Sequence, residues 1–274
     1  MTTLLRLKAG LFDRPIPVDA ASLSPDRTAG LAARAIADLP LLVGCRTERT
    51  GDLFDIEEAG SEDLAIEGDL ASFSRLGAGM TRGRLTLRGN AGPRAGSGMS
   101  GGILHIEGDA AAHAGEGMRG GALLVDGSAG DHLGAPLAGH AHGVNRGAIL
   151  VRGGAGAMAG FRMRRGTIVI AGDAGPGAGT AMLAGSLFVF GSLGIGAGAL
   201  MRRGTILTTR PHDPASVFPE SGLSRWPYLA LYYDALEAAG IVLPAGARHA
   251  AYRRHVGDLS GAGRGEILVM EPSS

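Results

Sequence analysis

Histidines and arginines are the side chains of this sequence with the most chemistry to offer, and their spacing is not random. His113 and His132 stand 19 residues apart, and His140 and His142 follow within the segment PLAGHAHG. Imidazole nitrogen is a common ligand for zinc, copper and nickel, so four histidines near one side of the chain could hold a metal ion. No carboxylate or thiolate completes a familiar ligand spacing, and Cys45, the single cysteine, excludes cysteine-built zinc or iron–sulfur sites. No bound metal is therefore expected, with His132, His140 and His142 the weak candidates if there is one. Arginines recur at Arg119, Arg146, Arg164, Arg165, Arg202 and Arg203, with Arg162 beside them. The guanidinium fork suits carboxylates and phosphates, which makes this group a candidate contact for an acidic partner surface or a polyanionic carrier. Lys8 is the sole lysine, a bias that a GC-rich genome also produces.

Catalytic signatures are missing. The sequence has no GxSxG elbow, no Walker loop and no HExxH pair. Gly96-Ser97-Gly98 looks like a nucleotide loop, but it follows no strand–helix crossover and recurs with the period described next. No catalytic residue is expected in this chain.

What positions the histidines and arginines is a repeat over residues 64–208. A glycine closes each short apolar run at Gly68, Gly89, Gly108, Gly127, Gly153, Gly172 and Gly191, in steps of 21, 19, 19, 26, 19 and 19. A second column, at Gly77, Gly96, Gly115, Gly134, Gly160, Gly179 and Gly198, steps by 19 except for one step of 26. Both columns place one seven-residue insertion at the same point, the segment that carries His140 and His142. A fixed period near 20 predicts a solenoid, here an all-β, right-handed parallel β-helix of about seven coils. At about 4.8 Å per rung such a stack is roughly 34 Å long, and His113 should lie about 5 Å from His132.

Each apolar run alternates with period two. The inward set is Leu85, Leu87, Leu104, Ile106, Leu123, Val125, Ile149, Val151, Ile168, Ile170, Leu187 and Val189, and a methionine column runs from Met80 to Met201 as a further side of the core. The outward positions read Thr86, His105, Leu124, Leu150, Val169, Phe188 and Leu207, with Phe190 extending the apolar part. A stripe of that kind must be covered. Leu124, Leu150, Val169, Phe188 and Leu207 are accordingly candidate contacts, shared between the chain's own C-terminal helix and a partner protein.

The flanks differ from the repeat. Residues 1–62 read as an α/β cap, with a strand over 2–7, one helix from Ser24-Pro25-Asp26 to about Asp38, and GDLFDIE as a strand or imperfect first coil. Residues 63–209 form the β-helix. Residues 210–274 form a proline-broken linker, a helix over 228–239 with an apolar face, and a last strand over 266–270. Formal net charge is zero, which argues against nucleic acid as a partner. No apolar run approaches the ~20 residues of a membrane span, and no secretory signal is recognisable, so a cytoplasmic protein is expected.

The repeated GDAGxxxGxxM sentence with MRRGTI, the lead-in LFDRPIPVDA with GDLFDI, and the tail GDLSGAGRGEI together resemble the C subunit of the formylmethanofuran dehydrogenase family over nearly the whole chain. The repeats alone are equally similar to the glutamate synthase GxGxG domain. The likeness is greatest to bacterial members that work in a formyltransferase/hydrolase complex. It implies a scaffold, not itself catalytic, in an assembly that moves formyl from formyl-tetrahydromethanopterin to a methanofuran-type carrier and releases formate. Hydrolase, formyltransferase and pterin-subunit-like chains would be its partners, metals would sit on other subunits, and this chain would bind no cofactor. Two alternatives stay open: the C subunit of a molybdenum or tungsten formylmethanofuran dehydrogenase, and a glutamate synthase-like domain that transmits signals between sites. A free-standing enzyme with a site along the groove is a third. The second column's G-x-G corner degrades to Gly134-Ala-Pro136, Gly160-Phe-Arg162, Gly179-Thr-Ala181 and Gly198-Ala-Leu200, so no ligand contact is carried over from the family.

Overall fold

The computed structural model describes residues 2–10, 16–57, 59–261 and 263–271. Residues 11–15 of the lead-in and Ala262 of the tail motif lie outside these. The N-terminal region holds β1 (Thr3–Leu7), β2 (Val18–Asp19), α1 (Pro25–Thr28), α2 (Ala33–Ala37), β3 (Pro40–Val43), β4 (Arg46–Arg49), α3 (Thr50–Leu53) and β5 (Phe54–Glu57). The repeats supply β6 (Leu64–Glu67), β7 (Phe73–Ser74), β8 (Arg84–Arg88), β9 (Ser100–Ile106), β10 (Arg119–Val125), β11 (Arg146–Val151), β12 (Thr167–Ile170), β13 (Ser186–Val189) and β14 (Arg203–Thr208). The C-terminal region adds β15 (Glu220–Ser224), α4 (Leu229–Ala238), β16 (Tyr252–Gly257) and β17 (Arg264–Met270).

Thirteen strands form one sheet in the order β15-β16-β17-β14-β13-β12-β11-β10-β9-β8-β6-β1-β5. From β1 to β17 every neighbour pairs in parallel, with equivalent residues in register, as in Leu85↔Leu104 and Ile168↔Leu187. The fold is thus mostly β. A second, one-residue ladder runs beside it through Leu70, Ala91, Ala110, Ala129, Ala155, Ala174 and Leu193, all parallel. The GD motif explains part of that stacking. The side-chain oxygens of Asn90, Asp109 and Asp173 accept the backbone N–H of Asp109, Ser128 and Ser192, one repeat further on, at 2.7–2.9 Å.

The inward residues are buried as their alternation requires, from Leu85 through Val189. Met80, Met99, Met118, Met163, Met182 and Met201 are fully buried, and Val144 fills the corresponding place in the repeat with the insertion. Each such side chain removed from water contributes about 1.5–3 kcal/mol, so the core draws its stability from repetition of small increments.

Both ends depart from the sequence reading. The helix expected over 24–38 is two pieces, α1 and α2, because Gly30 between them sits at φ +71°. GDLFDIE is only partly strand: α3 takes its first residues, and β5 then pairs antiparallel with β1 at the sheet's edge. The stretch read as a linker carries β15, which pairs antiparallel with β16. The final strand starts at Arg264, two residues early, and stacks on β14 as a further parallel rung. Helix α4 matches its expected span within one residue, and Gly240 at φ +75° ends it.

The apolar outward stripe is covered by this chain itself. Leu150, Val169, Phe188, Phe190 and Leu207 pack with Leu229, Tyr233, Leu236, Ile241 and Tyr252 in a second core. The Tyr233 hydroxyl lies 2.5 Å from that of Tyr252, which donates in turn to the Ala247 carbonyl at 3.0 Å. Burial pushes both hydroxyls above the ordinary tyrosine range, and donation to Tyr252 raises Tyr233 further.

Two outcomes follow from this packing. Arg162, Ala181 and Leu200 hold the left-handed corner at φ 52–59° that Gly79, Gly98 and Gly117 hold in earlier repeats. Left-handed backbone costs an L-residue about 1–2 kcal/mol, partly offset by glycine's freedom when unfolded. Ala181→Gly should therefore stabilise the chain by about 0.5–1 kcal/mol, seen as a higher Tm in thermal unfolding; an unchanged or lower Tm would contradict the strain. The tyrosine pair fixes a pH dependence. Its folded-state values lie above the unfolded value of about 10, so the stability it contributes is complete below that pH and lost above it. Urea midpoints should hold up to about pH 10 and fall as pH rises further, and replacing both tyrosines by phenylalanine should flatten that fall.

Candidate functional site

The arginine group forms an edge because its members start successive rungs. Arg119 opens β10 opposite Arg146, which opens β11, and Arg203 opens β14 opposite Arg264 of β17. Arg164 and Arg165 precede β12 in the same way. All are exposed, as are Arg162 and Arg202. None of them makes an ion pair among the described residues. Many arginines elsewhere behave differently: Arg6, Arg88, Arg152, Arg248, Arg253 and Arg254 all bind carboxylates at 2.6–3.1 Å. The edge is therefore a line of uncompensated positive charge on a chain of zero formal net charge. Arg264 belongs to it and was missed, although the Arg-Gly of GRGEI repeats the pattern of MRRGTI.

Two hollows open along this edge. One, of about 300 Å³, is lined by Arg119, Leu137, His140, His142 and Asn145 and is shaped by the seven-residue insertion. The other, of about 450 Å³, lies among Leu183, Arg202, Arg203 and Arg264.

The histidines divide into two groups. His113 and His132 stack with ring centroids 4.9 Å apart and planes within 6°, as their spacing required. His113 also lies 3.3 Å from the buried carboxylate of Glu116, which accepts a hydrogen bond from Ser97 at 3.1 Å and sits 3.5 Å from Arg94. His140 and His142 line the first hollow, within the insertion. Among the described residues no three metal-ligating side chains converge, so His132, His140 and His142 do not assemble into the metal site considered for them. The physical reason is the rung geometry, which commits His132 to the stack.

As partner contacts, Leu150, Val169, Phe188 and Leu207 are corrected: the C-terminal region buries them. Only Leu124 remains half exposed at the open end of the stripe, beside a polar group in which Asp126 binds His105 at 2.9 Å and Arg152 at 3.0 Å. Sequence alternation identified the stripe correctly but could not apportion its cover.

No protein-family profile matches the chain. The C subunit of the formyltransferase/hydrolase complex Fhc of Methylorubrum extorquens is 35% identical over 90 residues, 33% of each chain. The C subunit of molybdenum-containing formylmethanofuran dehydrogenase 1 of Methanothermobacter marburgensis is 34% identical over 82 residues, 29% of this chain and 20% of the relative. The aligned segments thus span a third or less of these curated relatives. The crystal structure of the Methylorubrum extorquens formyltransferase/hydrolase complex, FhcABCD with methylofuran, contains a chain that matches throughout: 35% identity, TM-score 0.89, covering 99% of this chain and 100% of that one. The chain belongs to the C-subunit family of these complexes.

For a member of the C-subunit family, the full-length match accounts for the ends as well as the repeats. The antiparallel β5, the covering helix α4 and the β15–β16 pair are parts of one architecture, not additions to a shared repeat. Among the described residues no helix is long and apolar enough to cross a membrane.

Proposed function

We propose that this chain is the non-catalytic scaffold of a cytoplasmic formyltransferase/hydrolase complex. In that complex formyl passes from formyl-tetrahydromethanopterin to a methanofuran-type carrier and leaves as formate. Hydrolase, formyltransferase and pterin-subunit-like chains hold the active sites and any metal, and this chain holds them together without a cofactor of its own. The observation that carries the reading is the full-length likeness to a chain of the complex solved with methylofuran. We further propose that the repeats wind as a right-handed parallel β-helix, supported by the parallel ladder and by the second ladder of single residues beside it.

The free arginine edge supports docking, since eight exposed, uncompensated guanidiniums favour an acidic surface. The likeness to the molybdenum-containing dehydrogenase keeps a second reading, the C subunit of a metal–pterin formylmethanofuran dehydrogenase. The two readings share the scaffold role and differ in the chains around it.

Purification from the native host tests the proposal. The tagged chain should co-elute at fixed stoichiometry with three other subunits and with formyl-transfer and hydrolase activity. Arg164→Glu with Arg165→Glu should weaken that association about tenfold or more while leaving the chain's own Tm nearly unchanged, because neither side chain has an ion-pair partner to lose among the described residues. A chain that elutes alone and catalyses formyl chemistry unaided would overturn the scaffold reading.

A further inference from the structure

The hollow beside the insertion offers a binding site that the scaffold role does not require. Its lining combines one permanent cation, Arg119, with two imidazoles and an amide, and no acidic residue lines it. Arg119 has no ion-pair partner among the described residues. Two polar atoms of the same lining, His142 Nδ1 and Asn145 Oδ1, are buried without a hydrogen-bond partner. Three backbone N–H groups nearby are already committed: Gly143 donates to Arg162, Asn145 to Met118 and His140 to Leu137. The side chains supply the charge and the ring N–H groups that this hollow has to offer a ligand.

The insertion also interrupts what the repeat otherwise does well. At every other step the period is near 19; here seven extra residues place two histidines in one hollow with Arg119. Buried polar atoms are nearly always satisfied in native proteins. Asn145 Oδ1 accepts and so calls for a donor, whereas His142 Nδ1, when it carries the ring proton, calls for an acceptor, which a ligand in this cationic hollow supplies after modest side-chain rotation. We propose that the hollow binds a carboxylate. The guanidinium fork of Arg119 receives its two oxygens, and the ring N–H groups of His140 and His142 complete their hydrogen bonds. One fixed positive charge matches a singly charged carboxylate better than a phosphate group, which carries about −1.5 to −2 near neutral pH. The carboxylate is either a small free anion or an acidic side chain of a docked subunit.

Imidazole nitrogen NMR on the full-length isolated chain tests this. Sodium acetate is the probe, with chloride at matched ionic strength and phosphate as the comparison anion. The His140 and His142 ring signals should shift saturably with acetate and respond less to phosphate. Arg119→Gln should weaken acetate about tenfold, the loss expected for a charge-assisted pair, whereas Arg202→Gln in the neighbouring hollow should leave it unchanged. Absence of saturable shifts, or equal losses in the two variants, would overturn the proposal. Repeating the titration on the chain purified with its partners distinguishes the sources. Retained acetate binding assigns a free carboxylate, and lost binding assigns a partner's acidic side chain.

Discussion

Parallel rungs stacked about 4.8 Å apart leave no space for a side chain wherever two corners meet face to face, and this constraint governs the molecule. At Gly89 a Cβ would sit 2.0 Å from the carbonyl oxygen of Gly68, and at Gly101 it would sit 2.0 Å from that of Thr81. These glycines are there because the preceding rung's backbone occupies the place of a side chain. The same closeness lets the Asn and Asp of the GD motif reach the next rung's N–H, and it sets His113 on His132. Core, corner and surface columns all inherit one spacing.

A stack of this kind has two unpaired ends and one exposed side, and the flanking regions answer to those needs. At one end β5 turns back antiparallel on β1. At the other, β17 continues the parallel register and the β16–β15 pair closes it. The exposed side is apolar only along the later rungs, and there α4 with Tyr233 and Tyr252 forms a second core over it. Where that cover stops, the outward positions turn polar, with His105, Asp126 and Arg152 satisfying one another. The arginine edge is a continuous line of exposed guanidiniums without internal ion pairs among the described residues, which is why it is the natural place to seek a neighbour.

The repeat was legible in the sequence because its constraint acts at fixed separation: glycines that cannot be replaced return every 19 residues. Inward alternation, the methionine column and the histidine stack follow from that period alone. The covering of Leu150, Val169, Phe188 and Leu207 was not legible, since it depends on where a helix 22 to 88 residues away comes to rest. The break between α1 and α2 turned on the conformation of Gly30, a residue that a helix can tolerate. Non-glycine residues in left-handed corners, Arg162, Ala181 and Leu200, looked like decay of the motif; the backbone there keeps its course and bears the strain. Arg264 escaped notice because its rung comes from outside the periodic segment. His132 is not grouped with His140 and His142 among the described residues, since stacking places His132 on His113 and the insertion carries the other two into the hollow.

In the role proposed for it, this chain joins catalytic subunits and takes no chemical step itself. Reconstitution of the purified subunits with and without it, followed by sedimentation velocity together with assays of formyl transfer and formyl hydrolysis, tests that role most directly. One large species should form only when the chain is present, with each half-reaction retained by its own catalytic subunit in its absence. Assembly of the remaining subunits without the chain, or formyl transfer or hydrolysis by the chain alone, would contradict it.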